Sequence, residues 1–87
     1  MTWEEYYDNY YGGAESTAIK KLSSVDMLGN ADEVTEIITD LSFHHKDICN
    51  RIARKATDQN LAFSWENLQD IDGCVDDDLL KQLLIQS

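Results

Sequence analysis

Apolar side chains return every three or four positions along most of this chain, the spacing that gathers them on one face of an α-helix. Trp3, Tyr6, Tyr7, Tyr10 and Tyr11 begin the pattern, with Glu4, Glu5, Asp8 and Asn9 on the opposite side. The spacing predicts a first helix from Trp3 to Tyr11, with Thr2 and Glu5 placed as a capping box and Gly12-Gly13 as its end. A second segment, Ala14 to Ser24, carries Ala14, Ala18, Ile19 and Leu22 and leads into Val25; Lys20 and Lys21 lie in its C-terminal half, where cations suit the helix dipole. A third follows Asn30, a good N-cap with Glu33 three residues on, and its stripe is Ala31, Val34, Ile37, Ile38 and Leu41.

The fourth segment is expected from Phe43 to Thr57 with Ser42 as its cap. Ile48, Cys49, Ile52, Ala53 and Ala56 form its inner face, and Asp47, Arg51 and Lys55 stand opposite at i, i+4 spacing. In the fifth, Ser64 is the cap, Trp65, Leu68 and Ile71 repeat at helical spacing, and Phe63 is set to staple against Leu68. The sixth opens on Asp76-Asp77-Asp78, anions at a helix N-terminus, and offers Leu79, Leu80, Leu83 and Leu84 as its apolar face. The chain has no proline, so its breaks fall to glycine and capping residues. No stretch reads convincingly as a strand. The pattern predicts an all-α protein, a compact array or bundle of five or six short helices forming a single domain over residues 1–87. Helices this short hold their shape only through mutual packing.

Composition agrees: 87 residues, 43% of them hydrophobic, allow one domain with a small core. Charge changes the picture of partners. Seventeen acids against seven Lys and Arg leave a net charge of −10. Such a field repels phosphate backbones and anionic membrane surfaces and favours a basic protein or a cation. It also serves simply to keep a small domain soluble. No apolar run approaches the roughly 20 residues of a membrane span, and the start, Met1-Thr2-Trp3-Glu4-Glu5, is acidic where a signal peptide is basic and then apolar. With only two cysteines, Cys49 and Cys74, the expectation is a cytoplasmic protein with reduced thiols.

Four features have chemistry to weigh. The Trp/Tyr stripe of the first segment is core if that helix docks and an exposed aromatic patch if it does not. His45 and Cys49 share a helical face, and Cys74 is the one further soft ligand in reach of the idea; a closed zinc site needs four. The plainer reading makes Cys49 a small core residue. A Cys-His nucleophile built from the same residues lacks an orienting third group. Asp70, Asp72 and Gly73 have the internal spacing of a calcium loop, yet Leu68 and Leu79 stand where its first and last carboxylates belong, so a capped helix start after a glycine turn is preferred. Last, six of the seven basic residues lie between Lys20 and Lys55, while Ala56 to Ser87 holds seven acids and only Lys81, a net of −6. The cluster Arg51, Arg54 and Lys55, with Asp47 and Asp58 at pairing distance, reads as intramolecular ion pairs rather than a DNA-reading surface.

These residues predict no cofactor and no catalytic group. They favour a non-enzymatic protein–protein interaction module, in its most concrete form an inhibitor or immunity-type binder of a basic partner. Its expected surface is Trp3, Tyr7 and Tyr11, if that face is open, together with Asp76, Asp77 and Asp78. The alternative is a small ion- or metal-binding helical protein using His45, Cys49 and Cys74 or the Asp76–Asp78 cluster.

Overall fold

Side-chain caps set three of the five helix starts among the described residues. In the computed structural model, which describes residues 2–12 and 20–86, five α-helices occur among those residues and no strand does. Helix α1, Trp3–Tyr11, starts where the Thr2 hydroxyl accepts the Glu5 amide. Helix α2, Ala31–Leu41, starts where the Asn30 side chain accepts the Glu33 amide at 2.9 Å. Helix α4, Trp65–Ile71, has a complete capping box between Ser64 and Asn67. Helix α5 is Asp77–Gln86, with Asp77 and Asp78 in its first turn. Each such cap satisfies an otherwise orphaned amide and is worth roughly 1 kcal/mol.

Helix α3, Lys46–Asp58, departs from the expected Phe43–Thr57. Ser42 is not its cap: the Ser42 hydroxyl donates back to Thr39 O at 2.7 Å, so it closes α2 instead. The chain then turns tightly, with the His44 and His45 amides both donating to Leu41 O, and Phe43 is left 83% exposed at the bend. Of the second predicted segment, Ala14, Ala18 and Ile19 lie outside the described residues; Lys20 and Lys21 are helical and lead into a 3-10 turn, Leu22–Ser24.

Packing follows the apolar stripes. Helix α2 packs on α3 and α4, α5 packs on α3 and α4, and these four helices close a ring around the core. Its centre holds Val34, Ile37, Ile38 and Leu41 from α2, Cys49, Ile52, Ala53 and Ala56 from α3, Ile71 from α4 and Leu83 from α5. Val25, Leu28, Phe63 and Val75 come in from the connections. Side chains of this size contribute about 1.5–3 kcal/mol each on full burial, which is what holds helices of 7–13 residues in place. The domain is small, with a radius of gyration of 11.8 Å.

Side-chain amides tie the connections to the helices. Gln59 accepts the Leu28 amide and donates to Asp26 O, both at 2.8 Å, fixing the segment before α2 to the end of α3. Gln86 donates to Ala56 O and Leu61 O, satisfying carbonyls where α3 ends. Asn50 accepts the Asp76 amide at 2.8 Å and so anchors the start of α5 on α3. Asn67 donates to Asp32 and joins α4 to α2.

Candidate functional site

The aromatic face of α1 is docked. Trp3 is only 6% exposed and Tyr6 is fully buried, so both belong to the core. The polar edges of the stripe are bonded to successive acids along α2. The Trp3 indole N–H donates to Glu33 at 3.2 Å, the Tyr7 hydroxyl to Glu36 at 3.0 Å and the Tyr11 hydroxyl to Asp40 at 3.0 Å. Tyr7 also rests on Tyr11, with ring centroids 4.7 Å apart. The Tyr7 phenol is pushed up from its ordinary value, first by that hydrogen bond to Glu36, and the Tyr11 phenol is pushed up first by burial and then by its bond to Asp40. Of the candidate residues Trp3, Tyr7 and Tyr11, then, Trp3 lies inside, Tyr7 is half-buried, and Tyr11 is exposed with its hydroxyl engaged.

Asp76, Asp77 and Asp78 are all exposed. A second surface lies where periodicity alone assigned core. Ser64 fixes the start of α4, and Phe63, Leu68 and Ile71 pin its inner side. That leaves Trp65, Gln69 and Asp72, at i, i+4 and i+7, along its flank. Trp65 is 65% exposed rather than buried. Opposite, Leu80 and Leu84 stand at i and i+4 on α5, with Leu84 51% exposed. Together with Leu68 these side chains line an open groove of about 270 Å³ between α4 and α5. One acid, Asp72 just past the end of α4, lines it; Glu66 and Asp70 on α4 and Asp76–Asp78 at the start of α5 are exposed on the same two elements.

The soft-metal candidates His45, Cys49 and Cys74 do not assemble a three-ligand group. Cys49 is buried and its thiol donates to Ile38 O at 3.2 Å. Burial above all, with smaller contributions from Cys74 and Asp47, pushes that thiol up to about 12, which disfavours the thiolate that a nucleophile or metal ligand needs. Cys74 is half-buried, its thiol donating to Asp70 O at 3.6 Å, and His45 is half-buried at the N-cap of α3. Among the described residues no group of three or more His, Cys, Asp or Glu is arranged to hold a metal ion. The Asp70–Gly73 stretch is the end of α4: Gly73 takes φ +85° and the Cys74 amide donates to Ile71 O at 2.9 Å.

The basic cluster also differs from expectation. Arg51, Arg54 and Lys55 make no ion pair with a described residue, so Asp47 and Asp58 do not neutralise them. Arg51 and Lys55 turn instead toward Lys20 and, with Leu22 and Ser23, line a recess of about 370 Å³. No helix among the described residues is long and apolar enough to cross a membrane. Compared with known proteins, the chain matches no family model, no curated protein and no solved structure. What stands is a compact all-helical domain whose described surface includes an apolar groove with Asp72 in its lining and a basic recess.

Proposed function

We propose that the protein is a non-enzymatic protein–protein interaction module that docks a basic partner at the α4–α5 groove. The observation that carries this reading is Trp65, 65% exposed beside Leu80 and Leu84 rather than packed inside. A large aromatic at the edge of an apolar groove supplies contact area at low entropic cost, and such residues dominate binding energy when a partner covers them. Carboxylates select the partner. An apolar anchor carried on a segment rich in Lys or Arg fits the groove with a cation set against Asp72, the exposed acids of α4 and the α5 start favour it further, and the net charge of −10 speeds its approach. Masking a functional surface of a basic protein in this way makes the module an inhibitor or immunity-type binder.

The test is brief crosslinking in the source cell followed by identification of what copurifies. The expected result is one stoichiometric basic protein, lost in the Trp65→Ala/Leu84→Ser variant and kept in Tyr11→Phe. A partner that ignores the groove variant, or recovery of no partner under conditions where the tagged protein is abundant, would sink the proposal.

A further inference from the structure

The recess between the Lys20–Ser23 turn and α3 has no part in the groove reading. Three of the chain's seven basic side chains line it: Lys20, Arg51 and Lys55. Arg51 and Lys55 are one helical turn apart on α3, and Lys20 is brought to them by the turn that buries Leu22 in the core. Seventeen acids are available to this chain, yet none of the three cations is ion-paired to a described residue, and no described acid lines the recess. Three cations gathered with no counter-charge among the described residues repel one another, and that repulsion is relieved when an anion enters. The Arg51 guanidinium offers a planar fork, the two ammonium groups offer movable donors, and the Ser23 hydroxyl adds one more, a set suited to tetrahedral oxyanions. The volume of about 370 Å³ exceeds what a bare ion fills and falls within the range of small-molecule sites.

We propose that this recess binds a phosphate-bearing small molecule, its phosphate held by Lys20, Arg51 and Lys55. The rest of the protein argues for a small ligand over a polyanion. At physiological salt charges interact over only about 8 Å, so the three local cations govern a compact anion at contact. A nucleic acid or an anionic bilayer extends across the acidic surface as well and is repelled by it.

The experiment is a titration of the labelled full chain with inorganic pyrophosphate, followed by amide chemical shifts at constant ionic strength, with sodium chloride as the reference titrant. Saturable shifts confined to Leu22, Ser23 and the Arg51–Lys55 turn are expected. The Arg51→Gln/Lys55→Gln variant should bind about tenfold more weakly or worse, while Arg54→Gln, on the same helix but outside the recess, should bind as the parent does. Wild-type shift mapping decides the matter even if the double variant folds poorly. Shifts that fail to saturate, that chloride reproduces, or that spread equally to Lys46 and Lys81 would overturn the proposal. So would cosedimentation with phosphatidylglycerol vesicles in place of saturation by pyrophosphate.

Discussion

Tyr6 sits fully buried, and its hydroxyl has no hydrogen-bond partner among the described residues. Burial, and secondarily Cys49, push the phenol from 10.0 up to about 12. The neutral form is the one the fold accommodates. Its stability is therefore complete below the unfolded value and is lost as pH rises from 10.0 toward about 12. Cys49, pushed from 9.0 to about 12, acts in the same direction. Removing the Tyr6 hydroxyl removes an unpaired polar group and one of these two titrations. Tyr6→Phe is expected to be as stable at neutral pH as the parent or up to about 1 kcal/mol more stable. It should also lose less stability on alkalinisation, as read from urea unfolding at both pH values. A large neutral-pH loss would mean that the hydroxyl is bonded after all. Gly29 is constrained by space: a Cβ there would land on the Trp3 indole and crowd the Glu33 carboxylate. Gly29→Ala should cost about 1–3 kcal/mol in the same assay, because the indole is wedged between α2 and the core; a neutral result would show that Trp3 can move aside.

Which helices the sequence foretold depends on how much of each helix end is local chemistry. Thr2, Asn30 and Ser64 each cap the residue three positions on, and α1, α2 and α4 begin where those side chains place them. Ser42 is the same kind of residue but bonds backward to Thr39, so α3 starts later, and nothing within the segment itself distinguishes the two uses. Faces are less legible than ends. Periodicity locates a stripe; how far a neighbour covers it depends on packing. Helix α5 shows this: Leu83 is fully buried, while Leu84, the adjacent member of the same predicted face, is 51% exposed. Trp65 fails as a core prediction for that reason, since α5 leaves the flank of α4 open. The basic recess was illegible because it joins Lys20 to Arg51 and Lys55 across 31 residues of sequence or more. The distinction on α5 can be measured. Leu83→Ala is expected to cost about 2–5 kcal/mol through the cavity it leaves, and Leu84→Ala to fall within about 0.5 kcal/mol of the parent. Equal effects would mean that α5 packs in a different rotation.

At the scale of the whole molecule, a strong negative charge coexists with an open apolar groove, and the two oppose each other in self-association. At neutral pH a net charge of −10 keeps copies apart. Near the sequence pI of about 4.3 that repulsion vanishes, and exposed apolar surface is free to pair. If the groove is the adhesive element, association on acidification depends on Trp65 and Leu84, not merely on loss of charge. Light scattering across a pH titration checks this. The parent is expected to associate near the pI, and Trp65→Ser/Leu84→Ser to associate substantially less at the same pH while remaining as well folded by circular dichroism. Phe43→Ser is the control: at 83% exposure Phe43 is the more exposed side chain, but it stands on the bend before α3, outside the groove. Equal suppression by the control would assign the effect to total exposed apolar area. No suppression by the groove variant would assign it to charge alone and would remove the support for Trp65 as the proposed docking anchor.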